Sequence, residues 1–310
     1  MTDDELANYD EFGMLKVYAD YEDIPWHGRP DVTRRSFDVG SGQKLSALVW
    51  GKGEPEIVLA HGNAQNAHTW DSVAMALDLP LVAVDLPGHG HSDWRDDHDY
   101  RPWSNAEALA AVISEAAPNL KLVVGMSLGG LTTIRLAAGH PELVPRAVIV
   151  DITPGVGSRT SSRSSQTRGA ADLPSRPQPQ VFESFEEMLQ LTASVLPGRP
   201  VDSLRIGVLH NARRLEDGRW AWRYDLQRAQ NSGEAPSTST LWEDFSAIAA
   251  PLMLVRAGRS PFVHDEDAAE VLRRQPKTRI EVVDGASHSV QSDRPTVLAA
   301  LIRDFVATTA

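Results

Sequence analysis

Apolar residues gather along this chain in short runs separated by longer mixed stretches. The runs EIVLA at 56–60, LVAVD at 81–85, LKLVVG at 120–125, RAVIVD at 146–151, PLMLVR at 251–256 and RIEVVD at 279–284 each have the length of one strand. Runs of this kind bury both faces in a parallel sheet. Between them, 104–117 (alanine-rich), 128–139, 265–274 (opening on acidic residues) and 294–307 read as helices. Alternating strands and helices predict an α/β fold, a mostly parallel sheet flanked by helices. Ahead of them, 32–39 and 43–50 bracket GSG at 40–42 and predict a hairpin. Residues 1–30 are acidic and aromatic without clear period; they read as an extension laid against the domain.

One region breaks the alternation. Residues 155–245 fall between the sixth and seventh sheet strands, dividing a core of 31–154 and 246–310. The stretch 158–180 is rich in Ser, Arg and Pro, and NSGEAPSTST spans 231–240; both read as flexible links. FESFEEMLQLTASVL has helical spacing, and RWAWRYD at 219–225 sets three large aromatics at alternate positions. The whole insertion is expected to be a helical cap.

Composition narrows the setting. A hydrophobic fraction of 42% over 310 residues supports a large core. The formal charge of −12 argues against nucleic acid or an anionic membrane surface, both of which reward clustered Lys and Arg. No apolar run approaches the roughly 20 residues that span a bilayer, so no membrane insertion is expected. The acidic start, MTDDELANYDEF, lacks the pattern of a secretory signal. With zero cysteines, thiolate catalysis and disulfides are excluded and a cytoplasmic location is expected.

Three short motifs carry the chemistry. In LVVGMSLGG at 122–130, Ser127 lies between Gly125 and Gly129, after a strand and before a helix. A nucleophile elbow needs this context: a sharp, strained turn that lifts the hydroxyl above the sheet, with glycines where side chains would clash. In IVLAHGNAQ, His61-Gly62-Asn63 follows another strand. The amides of Asn63 and Leu128 are the expected pair for an oxyanion. In VVDGASHSVQSDRP at 282–295, His288 sits in a loop before the last helix, where a general base is expected. His61, His89 and His91 occupy turns near the same edge, whereas His140, His210 and His264 read as ordinary surface or cap residues.

These motifs, with VDLPGHGHSDW at 84–94, resemble an α/β-hydrolase-fold serine hydrolase from about residue 31 onward. VGMSLGGLTTIRLA and HNARRLEDGRWAWRYD further resemble a group of actinobacterial α/β-hydrolases. The resemblance implies a Ser-His-acid triad, with the acid usually a few residues after the seventh strand. In GRSPFVHDED at 258–267 that position holds Pro261. Two carboxylates remain in view. Asp151, ending the sixth strand as a minority of the superfamily has it, is the expected acid, because a strand's C-terminal end already lies on the active-site edge. Asp265, whose ordinary role is helix N-cap, is the alternative.

The expected reaction is hydrolysis of a carboxylic ester of a small, largely apolar substrate through an acyl-enzyme. A lactonase or C–C bond hydrolase with the same triad, or a slow-turnover ligand-binding relative, are the alternatives. His61, Trp220, Trp222 and Tyr224 are candidates to line the pocket. No cofactor or metal is implied, because the histidines do not form a ligand motif.

Overall fold

The computed structural model describes residues 6, 8–156, 181–196, 201–226 and 237–309. The link expected over 158–180 and residues 231–236 of the second link lie outside the described residues. The strands are β1 (Val32–Asp38), β2 (Lys44–Trp50), β3 (Ile57–Ala60), β4 (Leu81–Val84), β5 (Leu122–Met126), β6 (Ala147–Val150), β7 (Val181–Phe182), β8 (Ala212–Arg214), β9 (Trp220–Trp222), β10 (Leu252–Ala257) and β11 (Arg279–Val283). The helices are α1 (Leu15–Tyr21), α2 (Asp71–Leu77), α3 (Pro102–Ala116), α4 (Leu128–Gly139), α5 (Phe185–Val195), α6 (Val201–Asn211), α7 (Leu241–Ala247), α8 (Asp265–Arg274), α9 (Val290–Asp293) and α10 (Pro295–Thr308).

Eight strands form one sheet in the order β1-β2-β4-β3-β5-β6-β10-β11. The β1–β2 hairpin and the β2–β4 pair are antiparallel, and from β4 onward all neighbours are parallel. Each short apolar run divides its residues between two cores, because successive side chains leave opposite faces of a strand. Val58 and Ala60 join the core beneath α3, α4, α7 and α8, while Ile57 and Leu59 join the one beneath α1, α2 and α10. RIEVVD departs from this expectation. As β11 it is an edge strand, and Val282 is 55% exposed.

The insertion between β6 and β10 is not wholly helical. Alongside α5 and α6 it holds a three-stranded antiparallel sheet, β7-β9-β8, built on the alternating aromatics of RWAWRYD. Their alternate spacing is the strand period, and aromatic contacts hold the small sheet together and against α5: Phe182 and Trp222 meet edge to face at 5.6 Å, as do Phe185 and Trp220 at 5.5 Å. Asp225, fully buried, fastens the insertion to the core by accepting from the Tyr100 hydroxyl at 2.6 Å and from His98 Nδ1 at 2.6 Å. Among the described residues no helix is long and apolar enough to cross a membrane.

Parallel strands β3, β5, β6 and β10 end level with one another: Ala60 pairs with Gly125, Met126 with Val150, and Val150 with Val255. The loops after them therefore converge on one sheet edge, where such folds hold their ligands. The turn from β5 into α4 is closed by glycine. A Cβ on Gly125 would lie 2.2 Å from the Gly129 carbonyl oxygen, and one on Gly129 would lie 2.2 Å from the Ala60 oxygen. Gly129→Ala is expected to cost at least about 2 kcal/mol in urea unfolding. Gly139→Ala, in the same helix with no atom nearer than 4.0 Å, is expected to change stability by less than about 1 kcal/mol.

Candidate active site

Ser127 caps α4 at φ 50° and ψ −113°, a left-handed backbone that costs a non-glycine residue roughly 1–3 kcal/mol. The conformation is held from both sides: the Ser127 amide donates to the Val150 carbonyl at 3.1 Å, and its own carbonyl accepts from Leu131 at 3.0 Å. The residue thus stands at a helix N-terminus, where unpaired amides and the helix dipole favour negative charge.

The loop after β3 is packed against this turn. A Cβ on Gly62 would meet Met126 Sδ at 2.5 Å and Ser127 Cβ at 3.2 Å, so glycine is needed for the approach. The Gly129 amide donates to the His61 carbonyl at 3.0 Å, and the Gly62 amide donates to Gln65 Oε1 at 3.0 Å. The amides of Asn63 and Leu128 donate to no acceptor among the described residues. Asn63, Leu128 and Ser127 are thereby gathered at one turn-to-turn contact.

His288 and Asp151 meet across 137 residues of sequence. The His288 Nδ1–H donates to Asp151 Oδ2 at 2.8 Å. Asp151 is fully buried at φ 51°, and it also accepts from the Ala257 amide (Oδ1, 2.8 Å) and the Ser260 hydroxyl (Oδ2, 2.8 Å). Ser260 is fixed in turn by accepting from the amides of Phe262 and Val263. At the position where the resemblance expects a carboxylate, the residue beside Pro261 supplies a hydroxyl to Asp151. The Phe262 ring lies 4.2 Å from the imidazole. With Nδ1 engaged, neutral His288 carries its lone pair on Nε2, a buried atom without a partner among the described residues.

Asp265 is not part of this arrangement. It stands at the first position of α8 with a side chain 92% exposed, paired with Arg256 at 2.5 Å. His264 and Asp267 form the capping box there. The acid after the seventh sheet strand is thus a helix-start residue pointing at solvent.

Ser127 and His288 line one cavity of about 560 Å³ without a hydrogen bond between them. Trp222 and Tyr224, stacked at 5.3 Å, also line it. Two other expectations fail. Trp220 is buried behind that wall against Phe185, and His61 lies fully buried behind its loop, not on the cavity. Its Nδ1–H donates to the Gly62 carbonyl at 2.7 Å, and its Nε2 accepts from the Leu86 amide at 2.9 Å. His61 shapes the loop.

A charged cluster that reaches the cavity through His68 and His210 escaped the sequence reading. His210, expected to be ordinary, is buried and stacks on His68 at 3.7 Å and 11°. His68 Nδ1 meets Asp71 at 2.9 Å and Nε2 meets Glu11 at 3.0 Å; Arg34 binds both Glu11 and Asp85. Burial opposes charge on His68, but Asp71 and Glu11 outweigh it and lift its pKa to about 9. Burial likewise opposes charge on Glu11, yet His68 and Arg34 bring it down to about 2. His210 is pushed well below its usual range by burial, then by the His68 and Arg34 charges. His68, Asp71 and His210 have the composition of a cation site, with ligand atoms within 4.8 Å of one another. The stack, however, sets the in-plane lone pairs of two imidazoles in parallel planes, and carboxylates occupy both nitrogens of His68. As arranged, the cluster is a hydrogen-bonded charge network.

A family model described as the alpha/beta hydrolase family matches residues 57–301. The chain belongs to that family. Esterase Rv0045c of Mycobacterium tuberculosis is 46% identical to it over 310 residues, covering 99% of each chain. A crystal structure of that esterase gives a TM-score of 0.84 at 44% identity, covering 97% of this chain and 99% of the other. The sn-1-specific diacylglycerol lipase ABHD11 of Mus musculus is 29% identical over 266 residues, 82% of this chain and 81% of the lipase. The structure of E-2-(acetamidomethylene)succinate hydrolase, at 23% identity and TM-score 0.71 over 89% of this chain and 99% of that one, shares the fold.

The cluster predicts a pH dependence. His68 binds its proton up to about pH 9 when folded, against an ordinary 6.5. Its contribution is therefore complete below pH 6.5 and lost as pH rises through 9. Urea unfolding is expected to show stability falling across that interval, by on the order of 1–3 kcal/mol. In His68→Gln the alkaline decline flattens; an identical decline in both proteins would contradict the assignment.

Proposed function

We propose that the chain is a serine ester hydrolase in which Ser127 is the nucleophile, His288 the general base and Asp151 the acid. The observation that carries this reading is the Asp151–His288 bond of 2.8 Å on the cavity that Ser127 shares. The name esterase, borne by the relative at 46% identity, supports the same chemistry. Its acid is Asp151 rather than Asp265, because only Asp151 touches the imidazole.

In the first half-reaction the Ser127 oxygen attacks the ester carbonyl while His288 Nε2 takes the hydroxyl proton. The carbonyl oxygen becomes an oxyanion and accepts from the Asn63 and Leu128 amides, which have no other acceptor among the described residues. Asp151 fixes the imidazole tautomer and stabilises the imidazolium. The tetrahedral intermediate collapses, the C–O bond breaks, and His288 returns the proton to the departing alkoxide. Water, deprotonated by His288, then attacks the acyl-enzyme and releases the acid and free Ser127. Hydrogen bonds between base and nucleophile are often long before substrate binds and tighten in the complex.

Residues 155–245 act as a cap in this reading, with Trp222 and Tyr224 presenting apolar surface to the substrate. The substrate is a small, largely apolar ester met in the cytoplasm, a setting supported by the lack of cysteine. No observation favours lactone or C–C bond cleavage, or slow-turnover ligand binding, over ester hydrolysis.

Steady-state hydrolysis of p-nitrophenyl esters tests the assignment. Ser127→Ala is expected to abolish enzymatic turnover. Asp151→Asn is expected to lower kcat about 10³–10⁴-fold, and Asp265→Asn to stay within about twofold of the unaltered protein, as removal of an exposed ion pair should. Equal losses for the two aspartates would overturn the choice of acid.

A further inference from the structure

The N-terminal segment plays no part in the chemistry above, yet it builds one wall of the cavity. Val17, Tyr18 and Tyr21 of α1 line it together with Leu196, Leu204 and Ile206 of the insertion. This wall is apolar, whereas the loop and short helical turn after β3 bring Gln65, Asn66 and Thr69 to the same cavity.

The wall is anchored to both parts of the molecule. Leu15 is buried in one core of the main sheet, and Leu6 joins Phe185 and Trp222 in the core of the insertion. Glu11 is gripped by Arg34 and His68, and the Tyr9 hydroxyl bonds His210 Nδ1 at 2.9 Å. Such anchors place α1 firmly, but they do not explain its outer face. There Val17 is 47% and Tyr21 65% exposed, four residues apart and so on one side of the helix. Seven large hydrophobic side chains are exposed by 40% or more among the described residues, and only these two line the cavity. Single exposed apolar residues are ordinary. A pair on one helix face at the rim of a cavity holding Ser127 suits an apolar ligand.

Resting on the ester-hydrolase reading, we infer that α1 seats the acyl chain of the substrate, which runs from the carbonyl at Ser127 to a lip made by Val17 and Tyr21. The N-terminal segment is then a specificity element. The favoured esters carry acyl chains long enough to touch that lip.

The test is the chain-length profile of kcat/KM for p-nitrophenyl esters from acetate to dodecanoate, in the full chain and in the Val17→Ser/Tyr21→Ser variant. The decanoate-to-acetate ratio of kcat/KM is expected to fall about tenfold, through KM, since each methylene removed from apolar contact costs close to one factor of four. Tyr21→Phe, keeping the apolar ring, retains the original ratio. An unchanged profile, or one factor of loss at every chain length, overturns the inference. Failure of the ester-hydrolase reading looks different: the full chain and Ser127→Ala would then hydrolyse every ester at one rate. In that event decanoic acid is titrated calorimetrically into Ser127→Ala with and without the two lip substitutions, and equal affinities overturn the seat of the chain.

Discussion

The Asp151 carboxylate is wholly withdrawn from water, and a buried carboxylate costs several kcal/mol unless its oxygens are satisfied. Here the Ala257 amide, the Ser260 hydroxyl and the His288 imidazole satisfy them. Those donors come from the end of β10, the turn after it and the loop after β11. One anion thus obliges three segments, distant in sequence, to meet at the end of β6. Remove any of these donors and the remaining geometry loses its reason. The same demand explains why the chain tolerates proline at 261: the supporting hydroxyl sits one residue earlier.

A second constraint is steric and lies at the turn of Ser127. The strained backbone there persists because Gly125, Gly129 and Gly62 let strand, helix and neighbouring loop approach without side chains between them. Strain at one residue is offset by close packing around it, and the result is rigid. The amides of Asn63 and Leu128 are held by this packing, not by hydrogen bonds of their own.

Around these two features the cavity is asymmetric. Its polar side rests on a network in which Glu11, Arg34, His68 and Asp71 neutralise one another. Its apolar side is assembled from the N-terminal helix and the insertion. The first segment of the chain is therefore structural mortar between core and insertion as well as lining.

The periodicity of the sequence determined the parallel sheet, its two layers of helices and the point of insertion, because burial on both faces leaves unbroken apolar runs. The motifs around Ser127, Asn63 and His288 were legible for a local reason: a strained turn or a close approach demands glycine at set spacings. Other features had no local signature. RWAWRYD carries the period-two alternation of a strand, but the sequence does not show that β7 and β8 pair with it, and nothing marks Trp222 as lining and Trp220 as buried. Pattern records that a side chain is covered, but not by what. His61 was misread for the same reason, since a histidine in a loop acquires its role from partners elsewhere in the chain. Asp151 was favoured over Asp265 by its place at a strand end, but the three remote donors that satisfy its carboxylate come together only in the folded chain.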